Sequence, residues 1–354
     1  MTLDYARAVP LNELEAWPPL PYEAWKDTLH AIHMWTQIVG KIRLEMTPLL
    51  NHWWNSSLAV TPRGLTTGVV PSGGGAFQID LDFVAHELRI VTSAGGSAAI
   101  PLQSMSVAQF YREVLDSLDR LGVPDPHIDV LPAEVAVAIP FPHDVEIRPY
   151  DRDRARLFAA GLLKTHLVFE RFRAGFLGKA SPVQFWWGSF DLASARFSGK
   201  RAPAYAGGKP PNVDIHVMHE AYSHELIAAG FWPGDADVPQ AEYYAYAMPS
   251  LDGLPEATIG PDEAGWNAAR GEFVLPYEAV RTSADPAATL MEFLQSTYDA
   301  AANLGRWDRV LLEEQVRCDC DPIPSRMRRP GRSRLVKAGS AAASDRSRTP
   351  MSSR

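Results

Sequence analysis

The chain has 354 residues, of which 46% are hydrophobic and 21% charged, a composition typical of globular proteins with one or two domains. Its net charge of −8 combines a basic segment, 317–354, with an acidic body of 24 basic and 39 acidic residues, a balance of −15. An acidic body disfavours nucleic acid as its partner, because phosphates bind mainly Lys and Arg, and no run of residues is apolar enough to span a membrane.

A lead-in over residues 1–20 precedes a first half that we predict over 21–123. Apolar residues at spacings of four and three predict a long helix from about Tyr22 to Met46. A second, polar stripe lies on nearly the opposite side of this helix and consists of His30, His33, Gln37 and Lys41. This stripe either forms a polar wall that faces a cleft or the other half of the protein, or it faces solvent.

The rest of the first half has the pattern of a small antiparallel sheet followed by a helix. Turn residues separate four or five short strands up to Pro101. Ser106, with Gln109 three residues later, is a capping signal for a helix that ends at Gly122. We read residues 124–150 as a proline-punctuated link with one short strand near Glu134–Ile139.

The second half, predicted over 151–316, repeats this plan. It begins with a helix from about Arg152 to Phe176 and closes with a helix that Asp285 caps and Gly305 ends. Further strands are expected in three segments: Asn212–Met218, Glu242–Met248 and Glu272–Leu275.

Two similar sequences support a degenerate internal duplication. WWNSSLAVTPRG, from Trp53, resembles WWGSFDLASARFSG, from Trp186. We therefore predict an α+β fold of two similar halves, each with a long helix, an antiparallel sheet led by a Trp-Trp pair, and a closing capped helix. Ligand sites often lie where two such halves meet.

The basic segment 317–354 has the composition of a disordered tail, rich in Arg, Ser, Pro and Ala. It either binds polyanions weakly or is an incidental extension. Both cysteines, Cys318 and Cys320, belong to it, so the body has no thiol for a disulfide, a nucleophile or a zinc site. We expect a cytoplasmic protein.

Histidine and glutamate recur in the segment HEAYSHELIAAGFWPG. His224 and Glu225 are candidate catalytic residues, since a histidine near its ordinary pKa of about 6.5 transfers protons well at neutral pH. His219 and His224 are five residues apart, which does not match a zinc motif of histidines four apart on one helix. Glu220 and His224 would share a face of a helix and could ligate a metal together, with His216 as a third ligand. That requires a convergence that depends on the fold, and we predict no metal site.

The segment SPVQFWWGSFDLASARFSGKRAP supplies the other candidates. Asp191 and Arg196 can fix a polar ligand, or they can pair with each other as a structural salt bridge. Aromatic side chains offer large apolar faces for a ligand, and the candidates are Trp186, Trp187 and Trp232. Alternation along a strand sends Trp186 and Trp187 to opposite faces, so only one of them is expected to meet a ligand.

These blocks, together with WTQIVGKIRL, NHWWN, AEYYAYAMP and EFVLPYEAVR, resemble a widespread bacterial family of uncharacterised proteins. The resemblance covers about Leu11 to Glu314 and leaves the basic tail outside. It implies kinship without an assigned activity. The residues that it favours over His216 and His219, which lie outside the blocks, are Asp191, Arg196, His224, Glu225 and Trp232.

Three functions stay open on the sequence. The protein is an enzyme with His224 as acid or base, a binding protein for a small molecule, or a structural or interaction protein whose motif blocks form the interface between the halves. The sequence carries no recognisable cofactor motif, so the cofactor stays unknown, as does the oligomeric state. Exposure of His224 and Glu225 in one concave pocket with Arg196 would favour the first two functions.

Overall fold

The first half of the chain contains the predicted long helix, antiparallel sheet and second helix. The computed structural model describes residues 16–313. Helix α1 spans Lys26–Met46 after a 3-10 turn, and α2 spans Val107–Arg120. The Ser106 hydroxyl accepts a hydrogen bond from the Gln109 amide at 3.1 Å, which is the predicted cap.

Between these helices the described chain forms one six-stranded antiparallel sheet, in the order β1-β2-β4-β5-β6 with β3 paired to β4. The predicted four or five strands are therefore six. Their bounds are β1 (Ala59–Thr61), β2 (Gly64–Thr66), β3 (Val70–Ser72), β4 (Gly75–Asp82), β5 (Glu87–Thr92) and β6 (Ser97–Pro101). Short turns join most neighbours, as the turn residues predict.

Helix α1 is buried on more than its apolar stripe. Trp35 and Ile42 are fully buried, and so is Gln37 on the polar side, while Lys41 is 6% exposed. Within the polar stripe, only His30 is exposed. The polar stripe therefore faces other parts of the protein along most of its length, one of the two orientations expected from the sequence.

The link 124–150 contains no strand at Glu134–Ile139, so that prediction was wrong. Glu134 has a left-handed backbone, with φ +61°, and its amide donates to the carbonyl of Pro211 at 2.8 Å, outside any ladder. A short strand lies later instead, β8 (Ile147–Arg148), and it pairs with β7 (Met105–Ser106). The alternating valines of this segment have no strand partner, and Val137 is exposed.

The second half begins with α3 (Arg152–Ala174) and continues into another six-stranded antiparallel sheet of the described chain, in the order β13-β14-β12-β11-β10-β9. Its strands are β9 (Gln184–Trp186), β10 (Asp191–Arg201), β11 (His224–Trp232), β12 (Glu242–Met248), β13 (Gly265–Asn267) and β14 (Glu272–Pro276). Two predicted strands, at 242–248 and 272–275, are confirmed.

The predicted strand Asn212–Met218 is wrong, because this segment enters helix α4 (Ile215–Ala221). Asp214 is the cause, since its carboxylate accepts a hydrogen bond from the His216 amide at 3.0 Å and so caps the helix. The chain then continues through α5 (Tyr277–Thr282), α6 (Pro286–Leu304) and α7 (Arg309–Leu312). Asp285 caps α6 and Gly305 follows it, as predicted.

The two halves pack against each other within one compact unit. Leu58 and Phe185 form an antiparallel bridge, and the Trp187 indole donates to the Ser56 carbonyl at 2.8 Å. The order helix, antiparallel sheet, helix recurs, but the sheet connectivities differ, so the duplication stays a prediction. The predicted tail, 317–354, and most of the predicted lead-in lie outside the described residues.

Within residues 16–313, no helix has both the length and the apolar character needed to cross a membrane.

Candidate functional site

A cavity of about 530 Å³ lies over one face of the second sheet. Residues of the first half, of the link and of the second half all contribute to its lining. The charged and aromatic members of that lining are His52, Trp53, Trp54, Glu134, Trp186, Asp191, Phe197, Tyr222, Trp232, Glu242, Tyr244, Tyr246, Arg270 and Glu272. Volumes of this size are typical of small-molecule sites.

Strand alternation explains which side chains reach the cavity. In β10, Asp191 and Phe197 face it, and in β12 Glu242, Tyr244 and Tyr246 do. Side chains at alternate positions, such as Leu192, Arg196 and Tyr243, point to the opposite face, where the sheet packs on α3 and α6. Three small side chains of β10 and β11 leave space for the cavity above the middle of the sheet: Ala193, Ala195 and Ala228.

Asp191 is buried and held by two hydroxyl groups. The Ser189 hydroxyl donates to Oδ1 and the Tyr244 phenol donates to Oδ2. Burial raises the pKa of Asp191, and the two hydroxyl hydrogen bonds partly oppose that rise. Gly230 lies on β11, between the strands of Asp191 and Tyr244, and its lack of a side chain permits their hydrogen bond. A Cβ at Gly230 would lie 2.2 Å from Cζ of Tyr244.

Glu134 lies at the same end of the cavity as Asp191. Its carboxyl packs on Gly188, where a Cβ would lie 2.4 Å from Oε1. The Glu134 side chain is exposed to the cavity that it lines. Desolvation by the surrounding protein and, second, the charge of Asp191 raise the pKa of Glu134 to about 7. Among the described residues, no side chain or backbone group donates a hydrogen bond to this carboxyl.

Two further carboxyls, on β12 and β14, share one arginine. Arg270 donates to Glu242 and, through Nε at 2.8 Å, to Glu272, and its guanidinium lies 6.0 Å from the Trp232 ring centroid. Burial raises the pKa of Glu272 to about 7 against the opposing charge of Arg270, with smaller contributions from Glu242 and Asp191. Burial also raises the pKa of Glu242.

The other end of the cavity carries His52, above Phe197 and about 20 Å along β10 from Asp191. His52 Nδ1 lies 3.2 Å from the carbonyl oxygens of Glu220 and Ala221, at the end of α4, and Nε2 lies 2.6 Å from Nζ of Lys179. This network assigns the neutral ring with its proton on Nδ1. Burial, and next the charge of Lys179, lower the pKa of His52.

Three of the seven side chains that the sequence singled out line the cavity: Trp186, Asp191 and Trp232. Trp187 is instead buried against α1. Gly40 leaves room for its ring, because a Cβ added to Gly40 would lie 2.1 Å from Cδ1 of Trp187. Only one tryptophan of the pair therefore meets the cavity, as alternation predicts.

Arg196 and Glu225 lie on the opposite face of the sheet. The Arg196 guanidinium is buried 3.5 Å from the centroid of Phe172 and donates to that residue's carbonyl, while burial lowers its pKa to about 10. Glu225 accepts a hydrogen bond from Ser198 at 2.7 Å. Asp191 and Arg196 therefore form neither a shared ligand clamp nor the salt bridge considered from the sequence.

His224 begins β11 on the cavity face, but it stands outside the lining. Its Nδ1 lies 3.0 Å from the Ser223 hydroxyl, and its ring centroid is 5.5 Å from that of His52. The fold thus separates the four predicted catalytic residues His224, Glu225, Asp191 and Arg196. Within the described chain, no three His, Cys, Asp or Glu side chains converge as a metal site.

Sequence reasoning missed most of the acidic lining. Glu242, Tyr244 and Tyr246 carried a signal, since residues two apart in a predicted strand share a face. Glu134 carried none, because its position depends on contacts with Pro211 and Gly188, which are distant in sequence.

The comparisons with known proteins identify kin without a known activity. A family model described as a family of unknown function, DUF5996, matches residues 17–314. No curated protein and no solved structure matches the chain. The matched range includes both sheets and every residue of the cavity lining, and the chain belongs to the DUF5996 family.

Proposed function

We propose that the cavity is the active site of an enzyme that acts on a small molecule by acid-base chemistry. The observation that carries the proposal is the pairing of two differently held carboxyls at one end of a concave site. Asp191 is fixed by two hydroxyl donors, whereas Glu134 faces the cavity and accepts no hydrogen bond from residues 16–313. Environments that make two nearby carboxyls different are typical of acid-base sites.

Glu134 is proposed as the group that transfers the proton. With a pKa raised to about 7, it is present in both protonation states near neutral pH, which suits a general acid or base. Asp191 is proposed to bind and orient the molecule, because Ser189 and Tyr244 hold its carboxylate in one position. His224 is the less favoured acid or base, since it stands outside the lining.

The proposed setting is cytoplasmic, with no nucleic-acid partner for the folded body. An acidic body of net charge −15 repels phosphate, and residues 1–316 hold no cysteine. A second candidate function, structural or interaction, is favoured by the bridge between Leu58 and Phe185, which joins a motif block to the first half.

Incubation of the purified protein with a mixture of small metabolites, followed by mass spectrometry, tests the proposal. Four variants accompany the parent: Glu134→Gln, Asp191→Asn, His224→Ala, and Glu225→Gln as the control on the opposite face. We expect conversion of a metabolite by the parent and by Glu225→Gln, and loss of conversion in Glu134→Gln.

Other results would correct the assignment. Retention of a metabolite without conversion would indicate a binding protein. Conversion that survives Glu134→Gln and disappears in His224→Ala would move the acid-base role to His224. Neither retention nor conversion by the parent would favour the structural candidate.

A further inference from the structure

The charged groups that line the cavity are mainly acidic. The described part of its lining contains four carboxyls, those of Glu134, Asp191, Glu242 and Glu272, and one guanidinium, that of Arg270. The phenols of Tyr222, Tyr244 and Tyr246 stay neutral, because burial raises each of their pKa values. The local field therefore favours positive charge in the cavity.

Among the lining residues that the structure describes, the one cationic group is already engaged in ion pairs. Arg270 donates to Glu242 and to Glu272, so an incoming anion would have to displace a carboxylate to reach it. His52, at the other end, is held neutral between Lys179 and the carbonyls that end α4. The Glu134 carboxyl, by contrast, has no hydrogen-bond or ion-pair partner within the described part of the chain. The uncommitted charge in the cavity is therefore negative.

The walls are suited to cations as well. Aromatic rings line much of the cavity, among them Trp54, Trp186, Trp232, Tyr222, Tyr244 and Tyr246. The protein already places its own cations near two of these rings, with Lys179 Nζ 5.4 Å from the Trp54 centroid and the Arg270 guanidinium 6.0 Å from that of Trp232. Faces of such rings attract ammonium and guanidinium groups.

We propose that the molecule bound in this cavity is an organic cation, a primary amine or guanidine; this inference rests on the proposed function. Its charged group lies beside Glu134 and Asp191, and its hydrocarbon part lies against the aromatic wall. An anionic molecule would meet carboxyls, and a neutral polyol would leave the charge of an ionised Glu134 without a counter-ion.

The inference implies a pH dependence with a definite sign. A bound cation favours ionised carboxyls, and Glu134, which faces Asp191 and Tyr222, has a pKa of about 7. Glu272, beside Arg270 and Glu242, has a similar pKa of about 7 and adds to the effect. Binding should therefore tighten as pH rises from 6 to 8, by about tenfold for Glu134 alone, with release of a proton.

Four related compounds test the inference on the full chain. Benzylamine and benzylguanidine are cations, benzyl alcohol is their neutral relative, and benzoate is the anion. Calorimetric or NMR titrations should show that the two cations bind at least about tenfold more tightly than benzyl alcohol. Glu134→Gln should remove that difference, and the control Glu225→Gln should keep it. Gly188→Ala provides a second test, since it displaces the same carboxyl without deleting it.

The outcomes separate the inference from the proposed function. Tighter binding of benzyl alcohol or benzoate, weakened by Trp232→Ala, would overturn the cation class and leave the small-molecule site standing. Cation binding that is insensitive to both Glu134→Gln and Gly188→Ala would also overturn the inference. No binding of any of the four compounds would overturn the inference and the proposed site together.

Discussion

The side-chain amide of Gln37 satisfies both backbone polar groups of Ala133. Its Nε2 donates to the Ala133 carbonyl at 2.8 Å, and its Oε1 accepts from the Ala133 amide at 3.0 Å. Nε2 also lies 3.3 Å from the carbonyl of Gly188, as a weaker second contact. One buried residue of α1 therefore joins the segment that carries Glu134 to the turn that precedes Asp191.

Gln37→Leu should lower the free energy of unfolding by about 2–4 kcal/mol, because the backbone groups of Ala133 lose their partners in a buried setting. It should also weaken binding in the cavity, since Glu134 loses its support. Denaturant titration measures the first effect. Gln295→Leu, on an exposed part of α6, is the control and should change stability by less than about 0.5 kcal/mol. Equal stability of the two variants would contradict the assigned role.

Gly188→Ala should alter the site more than the fold. The added Cβ meets the end of a flexible side chain, the Glu134 carboxyl, which must move. We expect weaker ligand binding with a loss of stability below about 1 kcal/mol. Gly265→Ala is the matched control, because its Cβ would have no neighbour within 4 Å. Unchanged binding in Gly188→Ala would show that the position of Glu134 has no role.

Glu134→Gln should become increasingly stabilising as pH rises from 5 to 8. The folded protein raises the pKa of Glu134 from 4.5 to about 7, so it favours the protonated carboxyl. The stability that this preference contributes is complete below pH 4.5 and is lost as pH rises through 7. Thermal unfolding across this range measures the difference in Tm between variant and parent.

The matched control for that titration is Glu278→Gln on α5. A hydrogen bond from Arg281 lowers the pKa of Glu278, so its variant should lose stability at neutral pH. A difference in Tm for Glu134→Gln that does not change with pH would contradict the raised pKa of Glu134.

Arg196 should prove important for stability and unimportant for binding. Its guanidinium lies between Phe172 and Tyr298, with ring centroids 3.5 and 4.3 Å away. Arg196→Ala should lower the free energy of unfolding by about 2–4 kcal/mol through lost packing. Arg196→Met, of similar length, should recover most of that loss. Titration of the folded variants with benzylamine should give the affinity of the parent, whereas a ligand role would reduce it in both.

Local signals in the sequence predicted the regular elements well. The strand Glu242–Met248 has the predicted bounds, and α6 begins and ends at its predicted cap residues. The failures at Glu134–Ile139 and Asn212–Met218 have different causes. In the first, alternating valines lack a partner strand; in the second, the capping carboxylate of Asp214 decides for a helix.

The site was harder to predict because it depends on which face of the sheet each residue occupies. Asp191 and Arg196 are five residues apart, and His224 and Glu225 are adjacent, so neither pair can share a face of a regular strand. The spacing of these residues in the sequence was enough to predict that they lie on opposite faces. The approach of Glu134 to Gly188 was not, since long-range contacts from α1 and from Pro211 create it.

Side chains of β10 alternate between the two faces of the sheet, so the length of the turn before β10 decides which of them face the cavity. A deletion within Gly188–Phe190 that moved the strand by one position would put Leu192 at the site of Asp191 and turn Arg196 away from its rings. Both the cavity and the packing behind it would be lost at once. We therefore expect natural relatives to keep the number of residues in this turn unchanged.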